Sequence, residues 1–125
     1  MRDSEKITLK NMVYSGYLGV TEWEREVPTR LEVDLEMHAD LRKACKSDDL
    51  NDTIDYAKVY DLVDGVIKSK HHNLLESLAE EISAVVFGLR ECDKVVVRIR
   101  KPHPPVDGMC DHAEVEIVRH NTNRR

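Results

Sequence analysis

The sequence predicts an α+β fold in which a four-stranded antiparallel sheet carries two helices on one face, in the order β-β-α-α-β-β. Three observations predict it. Near both ends of the chain, apolar and polar residues alternate with the two-residue period of a half-buried strand. In the middle, apolar residues recur with the spacing of an amphipathic helix. The polar positions of the strands carry charges of opposite sign, which indicates how the strands are ordered.

Two strands precede the helices. The segment KITLKNMVY, residues 6–14, predicts the first strand, and GYLG separates it from a longer one. In LEVDLEMHADL, residues 31–41, every second residue is apolar and most of the residues between them are acidic. The second strand is therefore expected to be buried on one side only.

Two helices follow, each with one apolar face. Asp55 is the N-cap candidate of the first, whose apolar positions are Val59, Leu62, Val63, Val66 and Ile67. The second covers roughly 74–90, with Leu75, Leu78, Ala79, Ile82, Val85, Val86 and Leu89 on one side. Both helices should pack on the apolar face of the sheet.

The last two strands are residues 94–100, KVVVRIR, and residues 112–120, HAEVEIVRH. The second strand has an acidic polar side, the third has Arg98 and Arg100, and the fourth has Glu114 and Glu116. Opposite charges favour neighbouring strands, by at most about 1 kcal/mol per pair. The third strand therefore lies between the second and the fourth, which gives the sheet order 1-2-3-4 and leaves the other face charged and hydrated.

The first and fourth strands are the edges of this sheet and lack partners. Open edges favour uncontrolled association, so proteins usually cover them or blunt them. Edge-to-edge oligomerisation that closes a barrel would remove both edges. A monomer with blunted edges is the alternative.

Length and charge limit the classes of protein to which this chain can belong. The 125 residues predict one domain, with a structured core over about 6–119 and a polar tail over 120–125. The net charge is −5 and the Lys and Arg residues are scattered, which argues against a nucleic-acid surface. The N-terminal residues lack a signal-peptide pattern and no apolar run reaches membrane-spanning length, so we expect a cytoplasmic protein without a membrane contact.

The sequence has no motif for a metal or a nucleotide cofactor. His71 and His72 are adjacent and cannot share a helical or strand face, and HExxH, GxGxxG and Walker patterns are absent. Cys45, Cys92 and Cys110 are odd in number and lack CxxC spacing, which is typical of reduced thiols, although a nucleophilic cysteine is an alternative. An enzyme with this sequence is expected to transfer protons without a metal.

Lys101 is the first candidate for chemistry. By strand period it points to the same side as Val95, Val97 and Ile99, and the Pro-rich segment KPHPPVDG follows it. A lysine held partly out of water at the end of a strand can exchange protons near neutral pH. The alternative is a strand-end lysine whose ammonium group reaches solvent along the sheet edge.

Three further side chains have both a structural and a functional interpretation. Glu76 in NLLE would be the third residue of a capping box that begins at Asn73, or a carboxylate that binds a guanidine-like ring edge. Tyr56 would pack at the start of the first helix or act there as an acid. Glu24 belongs to the loop GVTEWEREV, where most charges are simply hydrated.

These segments together resemble a known family. GVTEWE, SDDLNDTIDYAKV, NLLESLAEEI, VRIRKPHPPV and AEVEIVR, in this order, are similar to dihydroneopterin aldolase of folate biosynthesis, over roughly residues 6–119. The resemblance implies a T-fold, with four subunits closing a barrel, two such rings stacking into an octamer, and sites between neighbouring subunits. It also implies cleavage of 7,8-dihydroneopterin without metal or cofactor.

The resemblance implies a role for each candidate. Lys101 would transfer protons and Tyr56 would assist it, while Glu76 and the backbone of Leu75 would hold the aminopyrimidinone edge of the pterin. Glu24 would reach the substrate side chain and the lysine, and the backbone of Ile54 would come from the neighbouring subunit.

One residue departs from the family pattern, and other functions stay open. Leu18 stands where many members have a histidine, which affects fine substrate preference more than the class of reaction. The aldolase could have epimerisation as a side reaction. The alternatives are a dihydroneopterin triphosphate epimerase, for which no cluster of cations is evident, and a non-catalytic barrel that binds pterins.

Overall fold

A four-stranded antiparallel sheet with the order β1-β2-β3-β4 organises the chain. The computed structural model describes residues 5–89 and 92–121. Its elements are β1 (Glu5–Gly16), α1 (Glu22–Glu26), β2 (Thr29–Ala39), α2 (Arg42–Ser47), a 3₁₀ turn (Leu50–Asp52), α3 (Tyr56–Ser69), α4 (Leu75–Leu89), β3 (Lys94–Pro102) and β4 (His112–His120). The predicted α+β fold and strand order are confirmed.

The two long helices cover one face of the sheet, as predicted. The fully buried sheet positions include Leu31, Val33, Leu35 and Met37 of β2 and Val95, Val97 and Ile99 of β3. The helices bury Val59, Val63, Ile67, Leu78, Ala79, Ile82 and Val86. Each buried Val or Leu side chain contributes about 1.5–3 kcal/mol, so this layer stabilises the fold. Within the described residues no helix has the length and apolarity to cross a membrane.

Ion pairs on the opposite face explain the strand order. Arg98 lies 2.6 Å from Glu36 of β2 and 2.6 Å from Glu116 of β4. Arg100 likewise lies 2.8 Å from Asp34 and 3.1 Å from Glu114. The basic strand therefore contacts an acidic strand on each side, which is the arrangement that the charge pattern predicts.

The charged face is not hydrated throughout, and the prediction was wrong at Asp34. Asp34 is buried, with 2% of the residue exposed. Arg100 donates two hydrogen bonds to it, and the backbone N–H of Asn11 donates a third at 2.8 Å. Asn11 has φ +53° at a register shift between Leu9 and Met12, which turns its N–H toward Asp34. The hydrogen bonds from Arg100 hold the pKa of Asp34 well below its usual range, despite burial.

Several boundaries differ from the predicted ones. The second strand ends at Ala39, and Leu41 instead precedes α2, which the sequence analysis missed together with α1 and the 3₁₀ turn. These elements have three to six residues, too few to establish a helical period. The fourth strand has the predicted bounds, 112–120, so His120, which the predicted tail also included, belongs to the strand. Position 90 of the predicted second helix and positions 122–125 of the tail lie outside the described residues.

None of the three cysteines, which all lie within the described residues, is in a disulfide. Cys45 and Cys110 are exposed and Cys92 is buried. The Cys92 Sγ lies 3.4 Å from the carbonyl of His38 and 3.3 Å from that of Lys94, near the start of β3. A buried thiol with such contacts behaves as a small apolar side chain.

Candidate active site

The end of β3 carries a buried ion pair. Lys101 extends the row of Val95, Val97 and Ile99, and its side chain is only 13% exposed. Its Nζ donates a hydrogen bond to Oε2 of Glu24. The inward orientation predicted for Lys101 is confirmed, and the alternative, a lysine that reaches solvent along the sheet edge, is wrong.

Glu24 is held in place by its own short helix rather than by a loop. Thr21 is the N-cap of α1, and its Oγ1 accepts a hydrogen bond from the Glu24 N–H at 3.2 Å. In return, the Thr21 hydroxyl and N–H donate to Oε1 of Glu24 at 3.0 and 3.3 Å. Burial raises the pKa of Glu24, but the hydrogen bonds from Lys101 and Thr21 outweigh it and bring the pKa below its ordinary value. The carboxylate is therefore ionised at neutral pH. Glu24 is buried, with 4% of the residue exposed.

The first turn of α4 lies beside α1. The guanidinium of Arg25 donates to Oδ1 of Asn73 at 3.2 Å, which joins the two segments. Leu74 provides the first helical carbonyl, because the Leu78 N–H donates to it at 3.3 Å. The predicted capping box at Asn73 is therefore wrong, since Asn73 lies outside the cap position and faces Arg25. Glu76 is exposed on the first turn, where backbone N–H groups lack helical acceptors.

Ile54 and Tyr56 lie at the opposite end of the helical layer. Asp55 caps α3 as predicted, by accepting the N–H of Ala57 at 3.1 Å. Ile54 and Asp55 line a cavity of about 170 Å³ together with Leu89, the last residue of α4. A helix of 15 residues is about 22 Å long. The fold thus brings Lys101 and Glu24 to the start of α4, whereas Ile54 and the 60% exposed Tyr56 lie near its other end.

Thr21, which holds the Glu24 carboxylate, was not among the predicted site residues. TEWE, residues 21–24, has the capping-box pattern, so the sequence did contain a signal for α1. Leu18, the departure from the family pattern, is 1% exposed and belongs to the core. Within residues 5–89 and 92–121, no group of three or more His, Cys, Asp or Glu side chains is arranged to hold a metal ion.

Comparisons with known proteins agree with the predicted family. The family model described as dihydroneopterin aldolase matches residues 7–118. Dihydroneopterin aldolase from Bacillus subtilis is 34% identical over 116 residues, which are 92% of this chain and 97% of that protein. Its counterpart from Staphylococcus epidermidis is 35% identical over 116 residues, covering 92% and 96% of the two chains.

Solved structures give the same result. The structure of Escherichia coli dihydroneopterin aldolase in complex with neopterin has a TM-score of 0.86 and 27% sequence identity, and the match covers 92% of this chain and 98% of that one. The predicted enzyme class, an aldolase and hence a lyase, is supported by these relatives. The chain is a member of the dihydroneopterin aldolase family.

Proposed function

We propose that the chain cleaves 7,8-dihydroneopterin between C1′ and C2′, which yields 6-hydroxymethyl-7,8-dihydropterin and glycolaldehyde in folate biosynthesis. The observation that carries the proposal is the buried Lys101–Glu24 pair, which lies at the end of α4 that exposes Glu76. A proton-transferring group and a carboxylate able to bind a ring edge are thereby close together. The neopterin complex of the Escherichia coli relative supports a pterin as the ligand.

The reaction needs a base and an acceptor for an electron pair. Loss of the 2′-hydroxyl proton turns C2′ into the aldehyde carbon of glycolaldehyde as the C1′–C2′ bond breaks. The electron pair of that bond moves into the C6=N5 imine of the pterin, which takes up a proton at N5. Protonation of C1′, with loss of the proton from N5, then restores the C6=N5 double bond and completes the hydroxymethyl product. The substrate supplies its own electron acceptor, so the mechanism uses neither a Schiff base nor a metal.

In this mechanism Lys101 acts at N5. Its ammonium group stabilises the negative charge that develops there and exchanges the protons that the two steps require. Glu24 keeps Lys101 aimed at this point and reaches the hydroxyl groups of the substrate side chain. Because both groups are largely buried, their charges act in a medium of low polarity, where electrostatic stabilisation is stronger than in water.

The pterin ring would bind at the start of α4. A carboxylate at Glu76 can accept two hydrogen bonds, from the 2-amino group and the adjacent ring N–H of the aminopyrimidinone. The backbone of Leu75 adds a further contact in the same turn. This arrangement fixes the ring, so that N5 and the side chain lie near Lys101.

Tyr56 and Ile54 would complete the site from a neighbouring subunit. In one chain they lie near the far end of α4, about 20 Å from its start. A homo-oligomer that pairs the edge strands would bring Tyr56 of one subunit to Lys101 of the next. We propose a ring of four subunits, stacked in pairs into an octamer, in which the phenol of Tyr56 helps to protonate C1′.

Incubation with 7,8-dihydroneopterin and, separately, with its triphosphate tests the proposal. Release of glycolaldehyde from the free pterin is the expected result, with any epimer as a minor product. Epimer formation from the triphosphate without glycolaldehyde would instead identify an epimerase, and binding without turnover a non-catalytic barrel. We expect this activity in the cytoplasm, which cell fractionation would test.

A further inference from the structure

A buried histidine outside the proposed chemistry pairs with a carboxylate of α4. His72 is 3% exposed, and its Nε2 lies 2.7 Å from Oε2 of Glu81. Oε1 of the same carboxylate lies 2.9 Å from Nζ of Lys70. Hydrogen bonds from His72 and Lys70 lower the pKa of Glu81, which is therefore ionised and can only accept. The His72 Nε2 thus carries a proton and donates it, and the imidazole ring is fixed against α4.

The backbone next to this imidazole holds the loop that follows β1. The His72 N–H donates to the carbonyl of Tyr17 at 3.1 Å, and the Gly19 N–H donates to the carbonyl of His72 at 2.9 Å. His71 adds a third contact, because its Nε2 lies 2.8 Å from the carbonyl of Gly19. Tyr17 and Gly19 are therefore attached to the segment that Glu81 anchors.

The backbone of Gly19 in turn packs against the side chain of Glu24. It has φ +137°, a conformation that side-chain-bearing residues rarely adopt. A Cβ atom at this position would lie 2.1 Å from the carboxyl carbon of Glu24. The Glu24 carboxylate is thus packed directly on the Gly19 backbone, and a shift of this backbone would change where the carboxylate lies relative to Lys101.

We infer, on the basis of the proposed function, that His72 and Glu81 are positioning residues for the proton-transfer pair. His72 donates a hydrogen bond to Glu81, and the Gly19 N–H donates one to the backbone carbonyl of His72. The packing of Gly19 against Glu24 then orients Glu24 toward Lys101. Neither His72 nor Glu81 needs to touch substrate in this role. Their loss is expected to lower turnover while ring binding at Glu76, on another part of α4, is retained.

Glu81→Ala compared with Glu80→Ala tests the inference. Glu80 is the preceding residue of the same helix, and it pairs with Arg119 at 3.0 Å instead of with His72. We expect kcat to fall by about tenfold to hundredfold in Glu81→Ala only, because small displacements of catalytic groups have effects of that size. Neopterin affinity should fall much less than kcat in Glu81→Ala and stay unchanged in Glu80→Ala, since the ring contacts at Glu76 are kept and only the contact of Glu24 with the side-chain hydroxyl groups is weakened.

Two further measurements separate positioning from a general loss of stability. Trp23 is the single tryptophan, it is 67% exposed, and it precedes Glu24 in α1, so its fluorescence and its quenching by acrylamide report on this helix. Both should change in Glu81→Ala and not in Glu80→Ala. His72→Gln, which keeps a donor near the position of Nε2, should retain more turnover than His72→Ala.

Equal turnover and equal Trp23 signals in Glu81→Ala and Glu80→Ala would overturn the inference. So would equal losses in His72→Gln and His72→Ala. A wild-type protein that does not cleave dihydroneopterin would contradict the proposed function instead, and the Trp23 signals would still show whether Glu81 controls the position of α1.

Discussion

Nζ of Lys101 donates a hydrogen bond to Oε2 of Glu24, a residue 77 positions earlier in the chain. The lysine side chain is 13% exposed and that of the glutamate 5%. Removing one partner of such a pair leaves the other as an unpaired charge with little access to water, which is costly. The two residues therefore have to be considered together in any experiment on either of them.

Lys101→Ala should nearly abolish turnover while neopterin still binds. General acid–base groups contribute about a hundredfold to ten-thousandfold to rate, so kcat should fall by that factor, whereas neopterin affinity should change by less than about tenfold. Lys94→Ala, at the opposite end of β3, is the matched control and should retain activity. Equal losses of affinity and turnover would indicate that Lys101 is only a binding contact.

The pairing also predicts a dependence of stability on pH. Because the pKa of Glu24 is below its ordinary value of 4.5 in the folded protein, ionised Glu24 stabilises the fold above that pH. This contribution is lost as the pH falls through the lower, folded-state pKa. Glu24→Gln should therefore reduce the free energy of unfolding at pH 7, and its difference from wild type should shrink on acidification.

Urea unfolding of wild type and Glu24→Gln between pH 7 and pH 3 measures this difference. Glu22→Gln, on the exposed side of the same short helix, is the control and should have little effect at any pH. A difference for Glu24→Gln that is constant, or that grows toward acidic pH, would show that the ionised pair does not stabilise the fold.

The sequence predicted the sheet because its strands are long and regular. In β2 and β3, apolar residues such as Leu35 and Val97 alternate with charged ones, which fixes the side of each strand that is buried. Arg98 pairs with an acidic strand on each side, which fixes the order of the strands in the sheet. Lys101 could be placed by the same two-residue period, since it continues the row of buried side chains.

The environments that the local sequence pattern did not predict depend on contacts between distant segments. By its own pattern Glu24 belonged to a run of mostly hydrated charges, and only the family resemblance implied a contact with Lys101; the return of the chain against β3 buries it. Asp34 was expected in water, but the bulge at Asn11 covers it. Asn73 was expected to cap α4 and instead accepts a hydrogen bond from Arg25. Local patterns do not contain these partners, because each lies 23 or more positions away.

Glu76→Gln should mainly weaken pterin binding. An amide can replace only part of the interaction that a carboxylate makes with two donors, and hydrogen bonds to charged groups contribute about 1.5–3 kcal/mol. If Glu76 only stabilised the helix start, the substitution would cost about 0.3–1 kcal/mol of stability and leave affinity unchanged. Calorimetric titration with neopterin and a melting curve distinguish the two roles, with Glu80→Gln as the control on the same helix.

Chelation of Zn²⁺ and Mg²⁺ should leave the rate of cleavage unchanged. The pterin imine accepts the electron pair, so the proposed mechanism gives no role to a metal. The measurement is glycolaldehyde release after treatment with EDTA, compared with untreated enzyme. Activity that falls on chelation and returns with added zinc would require a different mechanism.

The most direct test is to mix subunits with complementary defects, because the proposed site takes Lys101 from one chain and Tyr56 from another. Tyr56→Phe and Lys101→Ala chains, each strongly impaired alone, are co-expressed or refolded together so that subunits exchange. In a 1:1 mixture about a quarter of the sites at a heterologous interface receive neither substitution, so turnover should recover to about a quarter of wild type. Turnover that stays at the average of the two separate variants, in oligomers shown to contain both chains, would contradict a site shared between subunits.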